Sequence, residues 1–156
     1  MSDLAVILMV EDSSDDLVLM QKAFAKAGLT NPLQIVRNGE EAVAYLQGDE
    51  PYQNRHEHPL PDLIFLDLKM PKMDGFEFLK WLRAQEGIGK IPVVVLTSSH
   101  QMRDVNQAYA LGANSFLVKP FDFDNFVETS KLLRTYWLHV NYRPESFRAG
   151  ESKAKP

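Results

Sequence analysis

Residues 63–71 read Leu-Ile-Phe-Leu-Asp-Leu-Lys-Met-Pro, an apolar run that ends on a carboxylate and then meets a proline. Four apolar residues in a row predict a strand buried on both faces, and Pro71 with Asp74-Gly75 predicts a loop directly after it. Asp67 then lies at the carboxyl end of a strand, where open α/β sheets place their functional groups. Taken alone, this carboxylate is better explained as the cap of the following helix.

The composition is that of one soluble globular domain. The chain has 156 residues, which is enough for one core and too short for two ordinary domains. No apolar run approaches the ~20 residues of a membrane span, and Leu4–Val10 is too short for a signal-peptide core. Because the chain also lacks cysteine, we expect a cytoplasmic protein without disulfides. Its net charge of −4 argues against nucleic acid as a partner.

Strand and helix patterns alternate along the rest of the chain. The predicted strands cover residues 4–10, 33–36, 62–66, 91–96 and 115–118, and a predicted helix follows each of them, the last reaching about Val140. Five such units predict a doubly wound α/β fold with a parallel sheet and five helices. The polar segment Gln47–Pro61 predicts an extended loop. We expect one domain over residues 1–143 and a disordered tail over 144–156.

The chemically versatile residues follow the ends of these strands. Glu11 and Asp12 come after the first strand, Asp67 after the third, Thr97 after the fourth and Lys119 after the fifth. In a doubly wound sheet the loops at these positions converge on one crevice. Three carboxylates gathered there repel one another unless a cation intervenes, and such hard oxygen ligands suit Mg²⁺, with Mn²⁺ as an alternative. With the ion bound, an ionised Asp67 can act as a nucleophile toward a phosphoryl group whose oxygens Thr97 and Lys119 stabilise.

An ordered set of motifs resembles the receiver domain of two-component response regulators over about residues 4–140. The motifs are Val10-Glu11-Asp12, Leu66-Asp67-Leu68-Lys69-Met70-Pro71 with Asp74-Gly75, Leu96-Thr97-Ser98 and Val118-Lys119-Pro120. The resemblance implies a flavodoxin-like sheet in the order 2-1-3-4-5 and Asp67 as the phosphoacceptor. It also implies a metal site made of Glu11, Asp12, Asp67 and the backbone carbonyl of Lys69. Thr97, Ser98 and Lys119 are the implied phosphate contacts, and the Lys119-Pro120 peptide is expected to be cis.

Phe116 stands at the position of the switch aromatic of receiver domains, beside Thr97 as the switch hydroxyl. The resemblance implies that this ring turns inward when the Thr97 hydroxyl moves toward the phosphoryl group. Because the residue is Phe rather than Tyr, a switch that needs a phenolic hydrogen bond is excluded. An ordinary half-buried strand aromatic is the alternative.

The long Gln47–Pro61 loop and the ending Tyr136-Trp137-Leu138 resemble a narrower group, the single-domain regulators that work with phytochrome histidine kinases, especially in cyanobacteria. The chain is expected to be such a stand-alone receiver, since only sixteen residues follow Val140 and an output module needs some tens. The resemblance implies a signalling domain that takes its phosphoryl group from a sensor histidine kinase. Beyond slow Mg²⁺-dependent self-phosphorylation and dephosphorylation, no enzymatic activity is implied.

The resemblance further implies a homodimer through the face made by the fourth helix, fifth strand and fifth helix. Tyr109, Phe116 and the aromatic residues of the final helix, Tyr136 and Trp137, are the candidate contacts. Leu132, Tyr136 and Val140 form an outward stripe on the same helix. A stripe packed beneath the chain's own tail explains the same pattern. Neither DNA nor a membrane is expected as a partner.

Two other functions use similar residues. A haloacid-dehalogenase-type phosphatase also has an Asp nucleophile after a strand, but it needs a second Asp two residues later, where this chain has Lys69. A flavodoxin-like cofactor binder fits the same sheet, but Glu11 and Asp12 would repel the cofactor phosphate. His56 and His58 resemble a two-ligand metal pair, although solvated loop histidines explain them better because two imidazoles alone make a poor site.

Overall fold

A computed structural model describes residues 5–142 and residue 144. Its strands are β1 (Ile7–Val10), β2 (Leu33–Val36), β3 (Leu63–Leu66), β4 (Val93–Thr97) and β5 (Ser115–Val118). They form one sheet in the order β2-β1-β3-β4-β5, with every neighbouring pair parallel. The predicted doubly wound α/β fold and its strand order are confirmed. The predicted tail, apart from residue 144, lies outside the described residues.

Five α-helices connect and follow these strands. They are α1 (Ser14–Lys26), α2 (Gly39–Gln47), α3 (Gly75–Arg83), α4 (Met102–Ala110) and α5 (Phe123–Leu133), and α5 continues as a π-helical segment, Arg134–Val140. Four of them begin at a side-chain cap that accepts a backbone N–H three residues on, from Ser13, Asn38, Asp74 and Asp122. In the described part of the chain, no helix combines the length and apolarity needed to cross a membrane.

The core consists of two apolar layers, one on each face of the sheet. Successive strand residues alternate between the layers, so Ile7 and Met9 pack on the α1 and α5 side and Leu8 and Val10 on the side of α2, α3 and α4. Both layers are buried, so β1 and β3 carry no polar residue. This covering of both faces leaves the strand ends as the accessible edges of the sheet.

The last helix separates an inward face from an outward stripe, as its sequence predicts. Leu133 and Trp137 are buried against α1 and the sheet. Leu132, Tyr136 and Val140 are 71%, 51% and 58% exposed. The stripe therefore forms an apolar surface beside β5.

The segment between α2 and β3 is folded back on α2 rather than extended. Arg55 donates hydrogen bonds to the carbonyls of Tyr45 and Leu46, which are among the last carbonyls of α2. The rings of Tyr45, Tyr52 and His58 pack with centroids 5.1–5.8 Å apart. The expectation of a solvated loop histidine is thus wrong for His58, while His56 is exposed.

The Lys119-Pro120 peptide is trans, so the expected cis bond is wrong. Among the described residues, the cis peptide is Glu50-Pro51. An X-Pro amide prefers trans by only about 0.5–1 kcal/mol, so the surrounding structure decides each case.

Candidate functional site

The predicted site residues meet at the carboxyl edge of the sheet. Val10 of β1 pairs with Leu66 of β3, and the backbone N–H of Asp67 donates to the carbonyl of Val10 (3.0 Å). This register ends the two central strands at the same level. Glu11 and Asp12 on one side and Asp67 on the other therefore leave the sheet side by side.

One carboxylate oxygen from each of Glu11, Asp12 and Asp67 lies within 4.8 Å of the other two. Glu11 and Asp67 are buried and Asp12 is half-buried. Hard oxygen donors this close suit a divalent cation such as Mg²⁺. The structure thus brings together the three carboxylates that the sequence singles out, and their role as ligands stays a prediction.

Lys119 lies beside these carboxylates at the end of β5. Its Nζ is 2.6 Å from Glu11 Oε1, 2.7 Å from Asp16 Oδ2 and 3.6 Å from Asp67 Oδ2. Burial opposes the charge on this ammonium group, but its hydrogen bonds to Asp16 and Glu11 and the negative charges of Asp67 and Glu11 together raise the pKa of Lys119. A buried, protonated lysine therefore faces Asp67.

The pKa of Glu11 is raised although Lys119 lies beside it. Burial, followed by the neighbouring negative charge of Asp67, raises the pKa of Glu11 from 4.5 to about 7, although the bond to Lys119 acts in the opposite direction. Below about pH 7, Glu11 of the metal-free protein therefore holds a proton. A bound cation would remove the need for that proton, so the donor set fits the metal implied by the sequence.

Asp67 does not cap the helix that follows it. The cap of α3 is Asp74, whose side chain accepts from the Glu77 N–H while the Glu77 side chain accepts from the Asp74 N–H. Asp67 instead bonds through Oδ1 to the N–H of Leu68 (2.8 Å), and Oδ2 faces Lys119. The capping explanation of Asp67 is therefore excluded.

A glycine allows α3 to begin directly behind this aspartate. A Cβ added to Gly75 would lie 2.3 Å from the carbonyl oxygen of Asp67 and 2.8 Å from the Cα of Leu68. The N–H of Gly75 donates to the carbonyl of Leu68 (3.0 Å). The absence of a side chain at residue 75 thus lets the helix support the backbone that carries Asp67.

The remaining predicted residues lie around this centre. Thr97 is fully buried at the end of β4. Ser98 is exposed and lines, with Asp16 and Lys119, a groove of about 490 Å³. Phe116 is half-buried in β5 and packs against the layer on the side of α2, α3 and α4. The side chain of Lys69 points away to Asp104 (Nζ to Oδ2, 3.5 Å), so only its backbone is a candidate ligand.

Sequence reasoning missed two residues of this site. Asp16, in the first turn of α1, holds Lys119. Arg37 directly follows β2 and reaches the backbone of Glu11 and Asp12. The position of Arg37 after a predicted strand was a usable signal, because the same rule selects Asp67 and Lys119. Asp16 gave no comparable signal, since acidic residues are common in the first turn of any helix.

Comparisons with known proteins agree with this geometry. The family model of the response regulator receiver domain matches residues 7–131. The probable methanogenesis regulatory protein FilR2 of Methanothrix harundinacea is 37% identical over 142 residues, which are 89% of this chain and 87% of FilR2. The response regulator Rcp1 of Synechocystis is 38% identical over 135 residues, 86% of this chain and 90% of Rcp1.

Solved structures show the same similarity. The Mn²⁺-bound form of Rcp1 has a TM-score of 0.80 at 37% identity, covering 90% of this chain and 99% of that one. The phosphorylated cyanobacterial phytochrome response regulator RcpA has a TM-score of 0.83 at 34% identity, covering 91% of this chain and 99% of RcpA.

Proposed function

This chain belongs to the family of response regulator receiver domains, and from that membership we propose that it accepts a phosphoryl group on Asp67. The observation that carries the proposal is the placement of Asp67. Its carboxylate lies buried at the end of β3, within 4.8 Å of Glu11 and Asp12 oxygens and 3.6 Å from the Lys119 ammonium. A nucleophile among hard oxygen donors and a cation suits phosphoryl transfer, which depends on positioning and electrostatics.

The proposed step exchanges one bond to phosphorus for another. A carboxylate oxygen of Asp67 attacks the phosphorus of a phosphohistidine, the P–N bond breaks, and its electron pair returns to the imidazole nitrogen. Lys119 stabilises the charge on the phosphoryl oxygens, and the Thr97 hydroxyl and Ser98 are the other proposed phosphate contacts. Thr97 is buried and its hydroxyl accepts from the Ser99 N–H (3.4 Å). The proposed switch moves this hydroxyl toward the phosphoryl group, and Phe116, two residues before the Val118 that pairs with Thr97, turns inward.

Glu11, Asp12, Asp67 and the backbone carbonyl of Lys69 are the proposed holders of Mg²⁺ or Mn²⁺. The close spacing of the carboxylates and the raised pKa of Glu11 support this assignment. The structure of Mn²⁺-bound Rcp1 supports it from a relative. When bound, the ion supplies positive charge against the carboxylates and the phosphoryl oxygens.

The proposed phosphoryl donor is a sensor histidine kinase of the phytochrome type. Support comes from RcpA, a phytochrome response regulator that this chain resembles over nearly its whole length. Residues 1–143 would act as one receiver unit, in the cytoplasm where such kinases use ATP. Beyond slow Mg²⁺-dependent self-phosphorylation and dephosphorylation, we propose no enzymatic activity.

The proposed output surface is the face formed by α4, β5 and α5, through which two copies would form a homodimer. This face exposes Tyr109 of α4 and Val118 of β5, next to the stripe of Leu132, Tyr136 and Val140. Apolar surface of this kind is typical of interaction sites. Phosphorylation would alter the face through Thr97 and Phe116.

Phosphorylation with acetyl phosphate and Mg²⁺ tests the proposal, with the phosphorylated fraction measured on a phosphate-affinity gel. We expect a shifted band for the wild type and none for Asp67→Asn. Asp74→Asn is the matched control, because Asn keeps the helix cap and removes a carboxylate from the same loop. Equal labelling of the wild type and Asp67→Asn would refute the assignment.

A further inference from the structure

Arg37 connects the end of β2 to the turn that carries the acidic pair. Its Nε lies 3.2 Å from the carbonyl oxygen of Glu11, and its Nη2 lies 2.6 Å from the carbonyl oxygen of Asp12 and 2.9 Å from the Ser14 hydroxyl. One planar guanidinium thus bonds to two consecutive carbonyls and to the first residue of α1. The planar fork of arginine suits such paired acceptors better than the single ammonium of lysine.

The backbone of Arg37 is itself fixed on both sides. Its N–H donates to Glu41 Oε1 (2.8 Å) in the first turn of α2. Just before it, the carbonyl of Val36 accepts from the N–H of Glu11 (3.0 Å). The guanidinium therefore reaches the acidic pair from an anchored position.

We propose that Arg37 is a positioning residue for the metal ligands: it holds the backbone of Glu11 and Asp12 so that their carboxylates meet Asp67 at a spacing that suits a divalent cation. This inference rests on the proposed function, since it assumes that these carboxylates bind Mg²⁺. Arg37 contacts neither the carboxylate groups of the pair nor Asp67 in any hydrogen bond that the structure describes. It acts through the backbone, as residues that orient metal ligands from outside the coordination shell do.

The direction in which Mg²⁺ affinity changes when Arg37 is removed distinguishes a positioning role from an effect of its charge. A guanidinium near a bound cation repels it, so an effect of charge alone predicts that removing Arg37 strengthens Mg²⁺ binding. Positioning predicts the opposite sign, because a mobile turn must be ordered before its carboxylates can bind. Since Arg37 is exposed, its hydrogen bonds add little to the free energy of unfolding. The effect is therefore expected in metal affinity more than in stability.

Isothermal titration with Mg²⁺ tests the proposal on the unphosphorylated full chain. We compare Arg37→Gln, which removes the charge, with Arg37→Lys, which keeps the charge and loses the fork. Both are expected to bind Mg²⁺ about ten-fold more weakly than the wild type. The control Lys22→Gln removes one charge from an exposed position in the third turn of α1, and it is expected to bind like the wild type. Urea unfolding in EDTA checks that each variant is folded.

Three outcomes overturn the inference. Equal or tighter binding by Arg37→Gln contradicts positioning, and so does wild-type affinity in Arg37→Lys. A loss of stability in EDTA with unchanged Mg²⁺ affinity assigns Arg37 a structural role only. A further variant, Asp12→Asn, separates failure of this inference from failure of the metal site. If the wild type does not bind Mg²⁺, or Asp12→Asn binds it as well as the wild type, the proposed site itself is wrong.

Discussion

At the scale of single residues, the charges around Asp67 determine the electrostatics of the site. Glu11, Asp12 and Asp67 bring three carboxylates together, and the one ammonium among them, Lys119, is shared with a fourth carboxylate from Asp16. Burial, followed by the negative charge of Asp67, raises the pKa of Glu11 despite the hydrogen bond from Lys119. The folded, metal-free site therefore favours the binding of a cation.

The raised pKa of Glu11 predicts how the metal-free protein responds to pH. Between pH 4.5 and about 7, the folded chain holds a proton on Glu11 that the unfolded chain has released. The free energy of unfolding therefore falls as pH rises through this window, by about 3 kcal/mol from this group, and levels off above it. Urea unfolding in EDTA across the window measures the effect.

Glu11→Gln provides the comparison, because the amide cannot ionise. The pH dependence of the wild type minus that of the variant isolates Glu11 from other groups. Mg²⁺ is expected to reverse the trend in the wild type, since it binds the ionised carboxylate. Identical pH profiles for the two proteins in EDTA would contradict this account of the site.

At the scale of elements, the connection from β3 to α3 holds the acceptor in place. The Asp74–Glu77 capping box starts the helix, and Gly75 lets that start lie against the backbone of Asp67 and Leu68. The cap and the acceptor are thus different aspartates on one loop. Because Asp74 caps the helix, the Asp67 carboxylate is available as the proposed phosphoacceptor.

Gly75→Ala is predicted to disturb the acceptor loop. The new methyl group would overlap the Asp67 carbonyl oxygen, which is backbone and cannot turn aside. We expect a loss of roughly 1–3 kcal/mol in the free energy of unfolding, as for overpacked cores, together with slower phosphorylation by acetyl phosphate. Lys80→Ala, on the exposed side of the same helix, is the control. Unchanged stability and unchanged phosphorylation in Gly75→Ala would show that the loop tolerates the displacement.

The elements differ in how well the sequence alone predicts them. Apolar runs in the sequence predict buried strands such as β1 and β3, and Asp74-Gly75 predicts the start of α3. Both signals are local, so they can be read from the sequence alone. The fold of the α2–β3 segment depends on Arg55 reaching back to the end of α2, and the isomer of a prolyl peptide depends on its surroundings. Such contacts join residues that are not neighbours in a helix or strand, so the hydrophobic periodicity of the sequence does not indicate them. The position of Arg37 at the end of a predicted strand is visible in the sequence. Its hydrogen bonds to the backbone of Glu11 and Asp12 are not, because they join residues far apart in the chain.

At the scale of the whole molecule, the sheet order brings the ends of four separate strands together in one site. The central strands β1, β3 and β4 supply Glu11, Asp12, Asp67 and Thr97, and β5 supplies Lys119 from the edge. The same edge strand and its neighbouring helices carry the exposed apolar face. A change near Thr97 or Lys119 is therefore adjacent to the surface through which a signal would leave.

The proposed homodimer is tested by a charge placed on that surface. Leu132→Glu puts a carboxylate at the most exposed residue of the outward stripe, where burial against a second copy would be costly. We expect the phosphorylated wild type to be dimeric in analytical ultracentrifugation and the variant to shift toward monomer. Val18→Glu, on α1 outside this face, is the control because Val18 is also an exposed apolar residue (52%). The same oligomeric state in Leu132→Glu and the wild type would rule out this face.

Chemical trapping identifies the residue that carries the phosphoryl group, which we propose is Asp67. Borohydride reduces an aspartyl phosphate to homoserine, so the wild-type protein is treated with acetyl phosphate and Mg²⁺, reduced, digested and mapped by mass spectrometry. We expect homoserine at residue 67 and unmodified aspartate at the neighbouring residues 12 and 16. Homoserine at either of those two positions, or an unreduced Asp67 in protein that carries phosphate, would contradict this proposal.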